Sequence, residues 1–201
     1  SRSEDYQGNK FYIGPLSRLK SDSTSKNKYD LLIVLSGPEP QRSLLEKKLL
    51  SELENYHGKV LFVSGKIQNK QVVKKTGKLT HYNYLTTSGM QKAYDRSKLV
   101  LCRSGYSSIM DLYQLKKKVF FIPTPGQFEQ EYLAEHLESQ NIAPFCSQDE
   151  FTIDMLSKLE EYSGFEILHS SSSSTSISSI LSEAFSSVKE NSEPIPSSLS
   201  T

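Results

Sequence analysis

Between Lys98 and Asn141 the chain repeats one unit: an apolar run, a turn of small residues, then apolar positions at helical spacing. Leu99-Val100-Leu101 turns through Arg103-Ser104-Gly105-Tyr106-Ser107-Ser108 into a helical pattern. Val119 to Ile122 then breaks at Pro123, Pro125 and Gly126, and a second helical pattern runs from Phe128 to Ser139. Strand, turn, helix, strand, turn, helix is the mark of a doubly wound, Rossmann-like α/β sheet, whose ligands sit outside the carboxyl ends of the strands. Both turns lie at strand carboxyl ends, so both face one cleft.

The rest of the chain extends the same alternation. Leu31 to Leu35 is five apolar residues in a row, which suits a strand covered on both faces, and Ser36-Gly37-Pro38-Glu39-Pro40 ends it on the cleft side. Leu44, Leu45, Leu49, Leu50 and Leu53 repeat at helical spacing over about four turns. Val60 to Val63 is the next strand, closed by Ser64-Gly65-Lys66, and Leu79 to Tyr82 reads as a short one. A helix is expected over Met90 to Ser97, a last short strand over Asn141 to Phe145, and a further helix over Ile153 to Tyr162. Ahead of these, polar residues 1 to 10 lead into a short strand at Phe11-Tyr12-Ile13, which ends at Gly14-Pro15, and a Ser-rich loop spans Lys20 to Lys28. The organisation expected is one α/β domain over residues 1–169, a serine link with a closing amphipathic helix over 170–189, and a disordered tail over 190–201. The homopolymer Ser170 to Ser174 cannot bury apolar area, whereas Ile177, Ile180, Leu181, Ala184, Phe185 and Val188 recur at spacings of three and four.

Charge excludes one class of partner. Lys and Arg number 24 against 23 Asp and Glu, so no global field favours nucleic acid. The cluster Lys70, Lys74, Lys75 and Lys78 reads as a wet surface; beside a ligand cleft or an anionic lipid face it would have a further use. Cys102 and Cys146 show no paired spacing, which excludes a zinc knuckle and a disulfide framework and fits a reducing, cytoplasmic setting. Cys102 lies in an apolar run and reads as a core residue. His81 has no Asp or Cys at a useful spacing and reads as structural. No apolar run approaches the ~20 residues of a membrane span.

The turn Arg103 to Ser108 admits two readings. Gly105 lets the backbone approach a ligand, and Ser104, Ser107 and Ser108 offer hydroxyls around a helix start, where unpaired amides and the positive dipole end attract anions. The same residues also make an ordinary helix cap. Asp111, about two turns on, could reach a sugar hydroxyl or stand as an exposed helix charge.

Arg103-Ser104-Gly105 with Asp111 six residues later, then Phe121-Ile122-Pro123 and Gln130, resembles the C-terminal, nucleotide-sugar-binding domain of the MurG-like family 28 glycosyltransferases. The likeness runs from Phe11 to Ala143 and implies the C-terminal half of a two-domain GT-B fold. Carried over residue by residue, it places Arg103, Ser104, Gly105, Tyr106 and Ser107 around the donor diphosphate and Asp111, where the family usually has Glu, on the ribose. Arg18 matches a linker arginine aimed at the diphosphate. Ser36 and Gly37 fall in a turn that touches the phosphates, Leu85 in backbone that recognises uracil. Gln130 and Glu131 fall where a glutamine pair contacts the donor sugar, Glu131 departing from that pair.

The resemblance implies an inverting transfer of a hexosyl, in particular an N-acetylhexosaminyl, group from a UDP-sugar. No cofactor and no metal is implied, and the chain lacks the Asp-x-Asp of metal-dependent transferases. The general base is expected on an N-terminal acceptor domain or partner subunit absent from this stretch, so the fragment alone is expected to bind nucleotide without transferring sugar. Peripheral contact at the inner membrane face is a further implication. Two alternatives share the fold: a UDP-sugar epimerase-like domain, and the donor-binding subunit of a split, membrane-associated transferase.

Overall fold

The computed structural model describes residues 26–169 together with Ser17, Leu19 and Ile177. Six strands make one sheet: β1 (Tyr29–Val34), β2 (Val60–Val63), β3 (Val73–Thr76), β4 (Leu79–Tyr82), β5 (Ser97–Cys102) and β6 (Lys118–Phe121), in the spatial order β3-β4-β2-β1-β5-β6. Every neighbouring pair is parallel except β3 with β4, which form an antiparallel hairpin at one edge. The helices are α1 (Gln41–Glu52), α2 (Thr87–Asp95), α3 (Tyr106–Leu115) and α4 (Phe128–Ser139).

Alternation along the strands divides the core into two layers. Leu32, Leu61, Val63, Val100, Cys102, Val119 and Phe121 face α2, α3 and α4, with Ile177 buried in the same layer. Leu31, Ile33, Val60, Phe62, Leu101 and Phe120 face Leu45 and Leu49 of α1 and a 3-10 helix over Ile153–Glu160. Coverage on both faces is why the central strands are runs of unbroken apolar residues. From β1 the chain winds outward through β2 in one direction and β5 in the other, so the loops after β1 and β5 diverge. Their divergence opens the crevice at the switch point.

Several elements differ from expectation for identifiable reasons. Asn141 to Phe145 is not a strand: only Phe145 makes a single bridge, to Phe121. Pro144 has no N–H to give, and Asn141 adopts φ 56°. The segment from Ile153 is a 3-10 helix that ends at Glu160. Helix α2 begins three residues before Met90, because Thr86 caps it by accepting the Gly89 amide at 3.3 Å. The lysine cluster carries strand β3, all of whose residues are exposed, so no apolar alternation announces it. Lysines on an edge strand also discourage pairing with another chain. The expected strand at Phe11–Ile13, the Gly14-Pro15 loop, Arg18, the serine run, the closing helix apart from Ile177 and the tail from Glu190 lie outside the described residues.

Candidate functional site

A cleft of about 620 Å³ opens at the switch point. Leu35, Ser36 and Gly37 line it after β1, Gly65 and Ile67 after β2, and Tyr84 and Leu85 after β4. Met90 and Tyr94 of α2 and Ser107, Ser108 and Asp111 of α3 complete its walls. Its floor depends on Gly65, which holds φ 67° and lies so close to the first loop that a Cβ there would stand 2.2 Å from the Leu35 carbonyl oxygen. Only glycine permits that approach.

The start of α3 supplies the strongest electrostatic feature. Its N-cap, Gly105, has no side chain to bond the first-turn amides, and that turn contains no acidic residue. The Ile109 amide is already in the helix ladder, donating to Gly105 O at 3.1 Å, and the amides of Ser107 and Ser108 precede it in the first turn, where the ladder supplies no acceptor. Together with the hydroxyls of Ser107 and Ser108, these amides give the cleft wall a positive helix end. Arg42, one residue into α1, brings a full positive charge to the same cleft. Its Nη1 donates to Gly65 O at 2.8 Å and its Nη2 pairs with Glu39 at 2.6 Å. That pairing turns Glu39 to Arg42 and holds its carboxyl below the usual range. One turn beyond the serines, Asp111 accepts a hydrogen bond from Ser17 Oγ at 2.6 Å.

Of the residues expected at a site, Ser36, Gly37, Leu85, Ser107 and Asp111 line the cleft, and Gly105 stands at its edge as the cap of α3. The others do not. Arg103 is 1% exposed, and its guanidinium donates to Ile122 O at 3.1 Å, Pro123 O at 2.8 Å, Gln41 O at 3.2 Å and Gln148 Oε1 at 2.7 Å. Burial pulls its pKa down to about 10, still cationic at neutral pH. It clamps the β6 loop to the start of α1. Ser104 is fully buried, with Oγ on Gln130 O at 2.7 Å. Gln130 turns back onto its own loop, its Oε1 accepting the Thr124 amide at 3.0 Å and its Nε2 bonding Gln127. Glu131 likewise accepts the Gly126 amide at 3.0 Å. Tyr106 packs against the α2–α4 core layer.

Sequence reasoning missed Arg42 and the apolar wall of Tyr84, Met90 and Tyr94, whereas Ser108, already read as a hydroxyl at the helix start, lines the cleft. The available signal was Arg42's position, a cation at the helix start directly after a strand-end glycine turn. Beside the cleft, His81 forms a chain with Ser64 and Glu46. Ser64 donates to Glu46 Oε1 at 2.9 Å, so the 2.6 Å contact between Ser64 Oγ and His81 Nε2 requires the histidine to be the donor. Burial holds the His81 imidazole below its usual pKa, opposed by Glu46, which makes the 3.7 Å approach to Glu46 a neutral contact at pH 7. Lys66 is taken up by Glu46 at 2.5 Å. Cys102 is buried, with its thiol pushed far up by desolvation, as suits a core residue. Among the described residues no three His, Cys, Asp or Glu side chains group as a metal would need, and no helix is long and apolar enough to cross a membrane.

Comparison with known proteins adds to this geometry. The pattern of the glycosyltransferase family 28 C-terminal domain matches residues 32–182. A curated relative, the UDP-N-acetylglucosamine--N-acetylmuramyl-(pentapeptide) pyrophosphoryl-undecaprenol N-acetylglucosamine transferase of Buchnera aphidicola subsp. Schizaphis graminum (strain Sg), is 26% identical over 151 residues, covering 72% of this chain. The chain spans only 41% of that relative's length. Among solved structures, the solution NMR structure of ALG13 is 18% identical with a TM-score of 0.50, the match covering 69% of this chain and 90% of that one. At such identity the likeness speaks for the fold. The crystal structure of Acinetobacter baumannii MurG is 19% identical with a TM-score of 0.43, covering 82% of this chain and 46% of its own.

Proposed function

The chain belongs to glycosyltransferase family 28 through that family's C-terminal domain, and on this premise we propose that it binds the nucleotide-sugar donor of an inverting transferase. The observation that carries the reading is a convergence in one cleft. The uncapped start of α3 with Ser107 and Ser108, the Arg42 guanidinium and the Asp111 carboxylate all meet there, beside the apolar wall of Leu85 and Met90. A nucleoside diphosphate has the matching parts: phosphates for the amides and the cation, a pentose diol for the carboxylate, and a flat base for the apolar wall. When the bond from the anomeric carbon to the diphosphate breaks, its electron pair stays on the phosphate oxygen. The α3 amides and Arg42 are placed to stabilise that charge.

The name of the Buchnera relative supports UDP as the nucleotide and an N-acetylhexosaminyl group as the sugar. Its pyrophosphoryl-undecaprenol acceptor supports a cytoplasmic site of action with peripheral contact at the inner membrane face. We assign acceptor binding and the general base to a second, N-terminal domain or to a partner subunit. The present chain then binds nucleotide and transfers no sugar by itself.

Calorimetric titration of the chain with UDP, GDP, dTDP and ADP tests the reading. UDP binds tightest, and Asp111→Ala and Arg42→Gln each weaken it by about tenfold or more, the loss of one charge-assisted hydrogen bond. Gly105→Trp, which fills the mouth of the helix start, weakens it as well. Arg42→Gln leaves uridine binding unchanged, because the nucleoside has no phosphate to lose. Indifference to all four nucleotides refutes the assignment.

A further inference from the structure

Ser17 and Asp111 stand 94 residues apart in sequence and meet at the cleft, Ser17 Oγ donating to Asp111 Oδ1 at 2.6 Å. The same hydroxyl accepts the Leu19 amide at 3.1 Å. A serine hydroxyl has one proton. With the amide held on its oxygen, rotation is restricted and that proton is committed to the carboxylate. Leu19 fixes the arrangement from below: it is 6% exposed, lines the cleft and belongs to the α2–α4 core layer. Burial of Leu19 therefore seats Ser17 independently of the bond to Asp111. On the other side of that bond, Asp111 lies on the cleft face of α3 one turn beyond Ser107 and Ser108. Among the described residues its Oδ2 has no hydrogen-bond or ion-pair partner.

We infer that Ser17 is a positioning residue for the nucleotide: by holding Oδ1 it fixes the Asp111 carboxylate in the orientation in which Oδ2 takes a pentose hydroxyl. The inference rests on the donor-site reading above. A free aspartate would lose rotamer freedom on gripping a diol, and the bond to Ser17 removes that loss before the ligand arrives. Since Ser17 and Leu19 precede the sheet in sequence, their seating against the cleft and binding of the pentose reinforce each other. By linkage, each raises the affinity of the other by the same factor.

The test separates this role from simple anchoring of Ser17 and Leu19. Wild-type chain, Ser17→Ala, Ser17→Thr, Asp111→Ala and the double variant are titrated with UDP and with 2′,3′-dideoxy-UDP, which lacks both pentose hydroxyls. The wild type prefers UDP. Ser17→Ala lowers UDP affinity about five- to tenfold, within the range of one ordinary net hydrogen bond, and leaves the dideoxy nucleotide within about twofold. Ser17→Thr, which keeps the hydroxyl, restores the preference, and Ser17→Ala has no added effect once Asp111 is alanine. An equal loss for both nucleotides, or a loss for neither, overturns the positioning role while leaving the donor site standing. Failure of the wild type to bind UDP, or equal binding of the two nucleotides, overturns the ribose contact of Asp111 and this inference with it.

Discussion

Replacing Arg103 by methionine separates a structural clamp from a diphosphate ligand. The guanidinium satisfies three backbone carbonyls, of Ile122, Pro123 and Gln41, and the side-chain carbonyl of Gln148. Methionine fills most of the same volume and satisfies none of them. Gln41 O keeps the Leu45 amide in the helix ladder, so three acceptors are left bare, at roughly 1–1.5 kcal/mol each, or about 4 kcal/mol. Removing a buried charge that has no carboxylate partner returns part of this, so the net loss is about 3 kcal/mol. That is a large share of the ~5–15 kcal/mol of a typical domain, yet too little to unfold it. At roughly 2–4 °C per kcal/mol for a chain of this size, the midpoint falls by about 6–12 °C. Differential scanning fluorimetry reads the shift, and calorimetry with UDP, about 20 °C below the variant's midpoint, reads affinity in the folded population. A clamp predicts a lowered midpoint with UDP affinity within about threefold of wild type. A midpoint within about 2 °C of wild type combined with loss of UDP binding would refute the argument and return Arg103 to the diphosphate.

Two further perturbations follow from the same geometry. Gly65→Ala places a Cβ 2.2 Å from Leu35 O at a residue with φ 67°, whereas Gly126→Ala, at φ 77°, meets nothing within 4 Å. Urea denaturation should show a loss of about 1–2 kcal/mol for Gly126→Ala, the left-handed penalty alone, and a clearly larger one for Gly65→Ala; equal losses would contradict the close approach of the two loops. The buried imidazole of His81 sets a pH dependence. Its folded pKa lies below the ordinary 6.5, through desolvation first, against Glu46 and with Lys74 and Lys66. The unfolded chain therefore binds more protons between those two values, so this contribution is complete above about pH 6.5 and is lost as pH falls through the folded value. The stability gap between wild type and His81→Gln, followed by urea titration from pH 7.5 to 5, should shrink on acidification; a constant gap refutes the assignment.

The architecture was legible where burial is two-sided. Leu31 to Leu35 and Val60 to Val63 declare themselves because a sheet covered on both faces tolerates no polar residue, and α4 emerged over the very residues the spacing marks. Strand β3 was illegible for the opposite reason. An exposed edge strand of Val-Lys-Lys-Thr buries nothing, so hydrophobic periodicity has nothing to record, and its pairing with β4 is a backbone matter. Asn141 to Phe145 misled in turn: apolar composition suggested a strand, while Pro144 and the left-handed Asn141 allow only a single bridge.

For the cleft, composition marks where a ligand-facing turn lies and leaves open which side chains face it. Arg103 and Ser107 occupy one turn, four residues apart, yet one is sealed in the interior and the other lines the cleft. What decides is Gln148, 45 residues further on, whose side-chain oxygen receives the guanidinium at 2.7 Å. A long cation beside a strand end goes wherever acceptors are densest, and here the carbonyls of the β6 loop and of α1 outnumber anything the cleft offers before a ligand arrives. Arg42 shows the converse. Glu39 and the Gly65 carbonyl engage it in part and hold it at the rim, so among the described residues the cation lining the cleft is the one bonded to the loop whose glycine allows the close approach. The positive charge of the cleft thus depends on a backbone contact between the β1 and β2 loops. Any substitution that parts those loops should weaken binding of a diphosphate even though it removes no charge.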